Sequence, residues 1–187
     1  MNAITTVFLD RDGVINVDSP DYIKSWAEFH FIPKSLAAIA RLTRAGIAVI
    51  VITNQSAVNR GMMAPEALKT MHRRMCRAVA DSGGRITDIF FCPHRPDENC
   101  DCRKPKPGMI LAARDRYGLD LASAVMVGDS EKDILVGRAA GCGATVLVKT
   151  GNGETAMQSL APKGTLPDHV ANDLAAAASW ILDQGHA

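Results

Sequence analysis

Short apolar runs alternate along this chain with longer segments of helical periodicity, and few architectures satisfy such a pattern. The short runs are rich in β-branched residues and predict β-strands; they are AITTVFL, IAVIVIT, ITDIFFC, SAVMVGD and GATVLV. The longer segments predict helices; they are PKSLAAIARLTRAG, APEALKTMHRRMCRAVADSGG, KPGMILAARDRYG, EKDILVGRAAG and ANDLAAAASWILDQ. The alternation predicts an α/β fold, with a Rossmann-like, mostly parallel sheet flanked by helices and no large cap domain.

Proline, glycine and short polar residues indicate where the helices begin and end. Pro33 suits the first turn of the first helix, Gly46 ends that helix, and Asn172 or Asp173 caps the last one. The methionine-rich stripe of the second helix is expected in the core. His72 lies in a basic stretch of the same helix, and we expect its side chain to be in solvent.

Composition excludes several classes of protein. The length of 187 residues suits one domain covering residues 1–187. A net charge of +1 gives no overall field that would attract nucleic acid or a membrane surface, and no apolar run has the length of a membrane span. The N-terminus lacks the pattern of a secretory signal, and the five cysteines are an odd number. We therefore expect a cytoplasmic protein, monomeric, with neither nucleic acid nor membrane as a partner.

Polar residues follow the predicted strands at the points where the strands end. Asp10 and Asp12 follow the first strand, and Asp129 follows the fourth. The second and third strands are followed by further polar residues, which are Thr53, Asn54, Cys92 and His94. Ligands bind beyond the carboxyl ends of the strands in such sheets, so these side chains are predicted to meet on one rim.

The residue types on this rim suit phosphoryl transfer. Three neighbouring carboxylates, from Asp10, Asp12 and Asp129, cannot all stay ionised without a cation, and Mg²⁺ prefers such ligands together with phosphate oxygens. Lys104 and Arg103 supply positive charge for an anionic substrate, while Thr53 and Asn54 can donate hydrogen bonds to it. Taken alone, each element is better explained as a turn or a helix cap, so the prediction rests on their combination.

The stretches DRDGVIN, VITNQS, KPKP and VGDSEKD, within residues 10–133, resemble the motifs of the haloacid dehalogenase superfamily of aspartate-nucleophile phosphatases. The resemblance implies that Asp10 is the nucleophile and Asp12 the general acid and base. It implies that Thr53 holds the phosphoryl group, that Lys104 balances its charge and that Asp129 binds Mg²⁺. The Mg²⁺ ligands would also include an Asp10 carboxylate oxygen and the Asp12 backbone carbonyl.

The segment CPHRPDENCDC, residues 92–102, brings together four potential metal ligands: Cys92, His94, Cys100 and Cys102. A set of three thiolates and one imidazole suits tetrahedral Zn²⁺, and four protein ligands make the site structural rather than catalytic. The alternative is a loop of reduced thiols beside a surface histidine. We favour zinc, which would hold the loop carrying Arg103 and Lys104.

The stretches FLDRDGVIN, TNQS and CDCRKPKPGM narrow the resemblance to the D-glycero-D-manno-heptose 1,7-bisphosphate phosphatases. This family implies Mg²⁺-dependent hydrolysis of the C7 phosphate of that small phosphorylated sugar through a phospho-aspartate, in nucleotide-activated heptose biosynthesis. Histidinol-phosphate phosphatases are similar over the same stretches, and that activity or another small phosphosugar phosphatase is the alternative. A catalytically silent zinc-containing binding module and a phosphosugar mutase are further alternatives. Some heptose phosphatases have lysine where this chain has Ser130.

Short loops are expected to determine substrate specificity, since no large insertion is visible between the motifs. Loop 17–22 contributes Asp18 and Asp21, and loop 56–61 contributes Arg60. With Asn54 and Arg103 these residues are the substrate-binding candidates. The guanidinium of Arg103 can bind a distal phosphate through two hydrogen bonds, which predicts a preference for a bisphosphate.

Overall fold

The computed structural model describes residues 3–184, which form one six-stranded parallel sheet between helices. The strands are β1 (Thr6–Leu9), β2 (Ala48–Asn54), β3 (Asp88–Cys92), β4 (Ala124–Gly128), β5 (Ala144–Val148) and β6 (His169–Ala171). The helices are α1 (Ser35–Arg44), α2 (Pro65–Asp81), α3 (Gly108–Tyr117), α4 (Glu131–Ala140), α5 (Gly153–Leu160) and α6 (Leu174–Asp183). The predicted Rossmann-like α/β class is confirmed.

The order of the strands across the sheet is β3-β2-β1-β4-β5-β6. The central strand β1 pairs with β2 on one side and with β4 on the other, so Phe8 lies opposite both Ile50 and Met126. Strands β2 and β3 extend the sheet on one side of β1, and β4, β5 and β6 extend it on the other, so the order reverses between β1 and β4. A crevice opens at such a point beyond the carboxyl ends of the strands, and the fold therefore places the ligand site beside Asp10.

Alternate residues of the strands face opposite sides of the sheet, as the period of a β-strand requires. Val7, Leu9, Val49 and Val51 pack with α1, α2 and α6 on one face of the sheet. Phe8, Ile50, Ile52 and Met126 pack with α3 and α4 on the other. The methionine stripe of α2, Met71 and Met75, is buried in the first core as predicted.

Two elements of the structure were missed by the sequence prediction, and one boundary was wrong. Strand β6 has only three residues, too few for a period-2 pattern, and helix α5 begins in a polar, glycine-containing stretch. Helix α1 begins at Ser35 rather than in a turn containing Pro33, because Lys34 adopts a left-handed conformation with φ of 68°. Asp173 caps α6 as predicted, since its side chain accepts a hydrogen bond from the Ala176 N–H.

The connections that border the rim contain little secondary structure. Residues 10–34, between β1 and α1, include a single short 3-10 turn, Trp26–Glu28, and residues 55–64 lead directly from β2 to α2. Trp26 and Phe29 stack on each other with ring centroids 5.0 Å apart and fix the first connection. None of the helices within residues 3–184 is long and apolar enough to cross a membrane.

Helix α4 approaches the sheet closely at Gly137. A Cβ atom at this position would lie 2.8 Å from both the Met126 Cβ and the Thr145 Cγ2, well inside van der Waals contact. Gly137→Ala should therefore lower the free energy of unfolding by about 1–3 kcal/mol, the usual cost of overpacking. This loss is expected although alanine is more favourable than glycine in a helix by about 1 kcal/mol. Urea unfolding measures the change.

The matched control is Ala139→Gly at an exposed position of the same helix. It isolates helix propensity and should destabilise the protein by about 1 kcal/mol. A Gly137→Ala variant that is more stable than the wild type would contradict the tight packing of α4.

Candidate active site

A cavity of about 390 Å³ opens at the carboxyl ends of β1, β2 and β4. Its walls include every residue predicted from the motifs for catalysis: Asp10, Asp12, Thr53, Lys104 and Asp129. The substrate-binding candidates Asp18, Asn54, Arg60 and Arg103 also line it. Asp21 does not; it lines a neighbouring surface depression instead.

Asp10 lies at the end of β1 and faces Lys104. Its backbone N–H donates to the Val127 carbonyl at 3.0 Å, which continues the pairing of β1 with β4 by one residue. Lys104 Nζ lies 2.9 Å from one Asp10 oxygen and 2.6 Å from an Asp133 oxygen. Burial opposes the charged form of this lysine, but the two carboxylates outweigh burial and raise its pKa. Lys104 is therefore held as a cation against Asp10.

Negative charge still exceeds positive charge around Asp10. Carboxylate oxygens of Asp10, Asp129 and Asp133 lie within 4.8 Å of one another, and Lys104 is the cation between them. Burial raises the pKa of Asp10 well above its usual range; Lys104 opposes this, while the neighbouring carboxylates add to it. This hard-oxygen cluster fits a divalent cation such as Mg²⁺, which would keep the carboxylates ionised.

Asp129 follows β4 and lies against the backbone of two glycines. A Cβ at Gly13 or Gly151 would lie 2.1 or 2.2 Å from an Asp129 oxygen, so only glycine fits at either position. The same oxygen accepts hydrogen bonds from the backbone and side chain of Asn152, at 2.8 and 3.1 Å. Burial and then Asp133 raise the pKa of Asp129 to about 7, which the Asn152 hydrogen bonds partly oppose.

Asp12 is surrounded by hydrogen-bond donors. The Arg11 guanidinium contacts both carboxylate oxygens at 2.7–3.1 Å, and the Asn16 and Gln55 side-chain amides each donate at 2.8 Å. Burial opposes ionisation, but Arg11 and these hydrogen bonds lower the pKa of Asp12. Asp12 is thus ionised, the form that activates water; to act as an acid it must take up a proton in the substrate complex.

Asn54 connects the end of β2 to the segment that carries Lys104. Its side-chain oxygen accepts from the Lys104 N–H at 3.1 Å, and its amide nitrogen donates to the Lys104 carbonyl at 3.3 Å. Asn54 therefore fixes the backbone of Lys104, while the residue itself borders the cavity. Its direct contact with substrate stays a prediction.

The Cys/His segment forms a compact cluster beside the cavity. His94 Nδ1 lies 3.5 Å from the Cys92 sulfur and 3.3 Å from the Cys102 sulfur, and the Cys100 sulfur lies 3.5 Å from both of the other sulfurs. A tetrahedral zinc site with Zn–S distances of about 2.3 Å has ligand separations of about 3.7 Å. The four donors fit a closed metal site, and zinc is the metal that this donor set prefers.

Basic residues stand at the mouth of the cavity. Arg103 donates from Nη1 to the His94 carbonyl at 3.0 Å, which ties this guanidinium to the Cys/His segment. Arg60 lies over the Tyr22 ring at 6.0 Å. Ser130, at the N-terminus of α4, donates from its hydroxyl to Asp133 at 2.6 Å, and the exposed Lys132 of the same helix turn also borders the cavity. Asp18 accepts from the Asn152 amide at 3.0 Å.

His72 is buried, contrary to the expectation of a solvent-exposed side chain. Its ring packs edge-on against Phe91, and Nε2 lies 3.4 Å from Arg11 Nη1. Burial, together with the positive charge of Arg11, lowers the pKa of His72 to about 3, so the ring is neutral. The prediction was wrong because helical position alone does not show that β3 and Arg11 cover this face of α2.

Sequence reasoning also missed Arg11, Gln55 and Asn152 as parts of the site. Arg11 stands between two aspartates in DRDG, and Gln55 follows Thr53 by two residues, so both lay inside recognised motifs. Strand alternation offered a signal, because residues 53 and 55 can share a side. Asn152 had no such signal, since it follows β5 at a distance from every motif.

Comparison with known proteins agrees with this geometry. A family model described as HAD-hydrolase-like matches residues 101–177. The D-glycero-beta-D-manno-heptose-1,7-bisphosphate 7-phosphatase of Pseudomonas aeruginosa is 49% identical over 176 residues, which cover 94% of this chain and 97% of that protein.

Two solved structures of similar proteins extend the comparison. The crystal structure of the D,D-heptose 1,7-bisphosphate phosphatase of Bordetella bronchiseptica, complexed with magnesium and phosphate, gives a TM-score of 0.89 at 45% identity and covers 97% of this chain and 99% of its own. The crystal structure of the D,D-heptose 1,7-bisphosphate phosphatase of Burkholderia thailandensis gives a TM-score of 0.71 at 39% identity and covers 95% of this chain and 98% of its own.

These matches confirm the resemblance that the motifs indicated. The identities extend over nearly the whole chain, and the fold and the carboxylate-lined cavity are those expected from the motifs. The chain belongs to the D-glycero-β-D-manno-heptose 1,7-bisphosphate 7-phosphatase family of HAD-like hydrolases.

Proposed function

We propose that this chain is a Mg²⁺-dependent phosphatase that removes the C7 phosphate of D-glycero-β-D-manno-heptose 1,7-bisphosphate, in the biosynthesis of nucleotide-activated heptose. The observation that carries the proposal is the convergence of Asp10, Thr53 and Lys104 in one cavity beside an acidic cluster. The names of the similar proteins supply the substrate and its β anomer. The whole reaction takes place within one domain, residues 1–187.

The reaction is proposed to proceed in two steps at Asp10. A carboxylate oxygen of Asp10 attacks phosphorus, the bond from phosphorus to the C7 oxygen breaks, and the leaving alkoxide takes a proton from Asp12. Water then attacks the phospho-aspartate, Asp12 accepts its proton, and phosphate leaves as Asp10 is restored. The Thr53 hydroxyl and Lys104 bind the phosphoryl oxygens throughout.

Asp10, Asp129 and the Asp12 backbone carbonyl are proposed to hold the Mg²⁺ ion, with Asp133 fixing Lys104 beside them. The ion supplies positive charge that binds phosphoryl oxygens and keeps the carboxylates ionised. Asp133 accepts hydrogen bonds from the Ser130 backbone and hydroxyl as well as from Lys104, so it is already committed within the protein.

Residues at the mouth are proposed to grip the sugar and the phosphate at C1. Arg103 borders the cavity and is held in place from one end by the His94 carbonyl, so its remaining N–H groups can face the distal phosphate. Arg60 and Lys132 add positive charge at the same mouth, and Asp18 can accept from sugar hydroxyls. The open cavity suits a compact phosphosugar.

Zinc is proposed to bind Cys92, His94, Cys100 and Cys102 as a structural ion. The His94 carbonyl holds Arg103, and Cys102 precedes Arg103 directly in the chain. Closing the metal site would therefore fix Arg103 both through its backbone, next to Cys102, and through its guanidinium, on the His94 carbonyl. We further propose a cytoplasmic monomer; five cysteines without a disulfide suit a reducing compartment.

The nucleophile can be tested directly with Asp10→Asn. An amide cannot form the phospho-aspartate, so kcat should fall by about 10³-fold or more while the fold is kept. Steady-state hydrolysis of the heptose bisphosphate with Mg²⁺ measures the loss, and mass spectrometry of a quenched wild-type reaction should detect the phosphorylated peptide. Asp81→Asn, on the exposed end of α2, is the control. Near wild-type kcat in Asp10→Asn would refute the role.

If the Cys/His segment binds zinc, protein purified without chelator should contain about one zinc ion per chain, as measured by elemental analysis. Cys100→Ser should reduce both the zinc content and kcat/KM, because Arg103 and Lys104 lose their fixed positions. Cys76→Ser, in α2 and outside the cluster, should leave the zinc content unchanged. Zinc-free protein with full activity would show that the ion is dispensable.

The proposed contact of Arg103 with the distal phosphate predicts a strong preference for the bisphosphate. The heptose bisphosphate should have a far higher kcat/KM than histidinol phosphate. Arg103→Ala should lower kcat/KM for the bisphosphate by roughly 10–100-fold, the usual worth of a hydrogen bond to a charged group, and affect p-nitrophenyl phosphate much less. Arg116→Ala, exposed on α3, is the control. Equal losses for both esters, or a preference for histidinol phosphate, would count against this assignment.

A further inference from the structure

One side-chain amide connects two groups of the proposed reaction. Gln55 Nε2 lies 2.8 Å from an Asp12 carboxylate oxygen and 2.9 Å from the Thr53 hydroxyl oxygen. The Gln55 side chain is buried, with the residue only 4% exposed. We propose that Gln55 is a positioning residue that orients the Thr53 hydroxyl toward the transferring phosphoryl group, an inference that rests on the function proposed above.

The chemistry of Asp12 fixes which end of the Gln55 amide faces it. A carboxylate accepts hydrogen bonds and has none to donate, so the atom 2.8 Å away is the amide nitrogen and not the oxygen. That nitrogen carries two hydrogens, one directed to Asp12 and the other to Thr53. The Thr53 oxygen is therefore an acceptor toward Gln55.

An acceptor role toward Gln55 determines what the Thr53 hydroxyl does with its own hydrogen. A hydroxyl has one hydrogen and two lone pairs, and one lone pair is taken by Gln55. Within residues 3–184, Gln55 is the only side-chain hydrogen-bond partner of this oxygen. Thr53 also borders the cavity. Its hydrogen is left for an acceptor in the cavity, and a phosphoryl oxygen is the acceptor that the site is built to hold.

The backbone of Gln55 is held in place by hydrogen bonds, which fixes the start of its side chain. Its N–H donates to the Cys92 carbonyl at 2.7 Å, which continues the pairing of β2 with β3, and its carbonyl accepts from Val58 at 3.2 Å. Cys92 is also one of the four clustered metal-ligand candidates. The Cys/His segment, Gln55 and Thr53 therefore form one connected chain of contacts.

A double-mutant cycle on orthovanadate inhibition tests the proposal. Vanadate imitates the transferring phosphoryl group, and its inhibition constant does not depend on how much of a preparation is folded. Gln55→Met keeps the side-chain length and removes both donors, so it should raise the inhibition constant about tenfold. In a Thr53→Val background the same change should alter it by less than about twofold, since there is no hydroxyl left to orient.

Gln55→Leu is the second variant, because it also lacks both donors and adds no charge beside Asp12, so it should give the same result as Gln55→Met. Gln158→Met, the same substitution at an exposed site in α5, should leave the inhibition constant unchanged in both backgrounds. Equal effects of Gln55→Met with and without the Thr53 hydroxyl, or no effect in either, would overturn the positioning role. Wild-type protein that hydrolyses phosphate esters with Mg²⁺ separates that result from a failure of the proposed function.

Discussion

A buried lysine between two aspartates is the interaction on which the rest of this site depends. Lys104 contacts Asp10 and Asp133 at 2.9 and 2.6 Å, with its own side chain 2% exposed and that of Asp133 fully buried. Removing one member of such a buried network typically costs about 3–5 kcal/mol, because the remaining charge is left uncompensated. Asp129 adds a further carboxylate, so the lysine alone leaves an excess of negative charge. This excess of negative charge is the reason for proposing a Mg²⁺ ion beside Asp10.

The loops around Lys104 are joined to each other rather than placed independently. Asn54 hydrogen bonds with the Lys104 backbone, Arg103 with the His94 carbonyl, and the Gln55 N–H with the Cys92 carbonyl. The Cys/His segment thus supports both the end of β2, which carries Thr53, and the segment that carries Lys104. Through these contacts the proposed structural zinc would support the reacting groups without taking a chemical part in the reaction.

The sequence predictions succeeded where a residue belongs to a motif at a strand end. Asp10, Thr53 and Asp129 meet because parallel strands all end on the same edge of the sheet, so element order alone brings them together. They failed where a neighbour outside the motif decides the outcome. His72 is buried by Arg11 and Phe91, and Asp21 faces away from the cavity although Asp18 of the same loop borders it.

The amino-acid sequence by itself determined the α/β class, the strand ends that carry the candidate reacting groups, and the grouping of four candidate metal ligands within residues 92–102. These features depend on local periodicity and short spacing, which the chain order expresses directly. Only the tertiary structure decided the hydrogen-bond partners of the polar side chains in the site. Arg11 with Asp12, Gln55 with Thr53, and Asn152 with Asp129 are pairs set by side-chain direction. Strand alternation allows the contact of Gln55 with Thr53 but does not require it. Nothing local in the sequence indicates the contact of Asn152 with Asp129, because it depends on packing between distant segments.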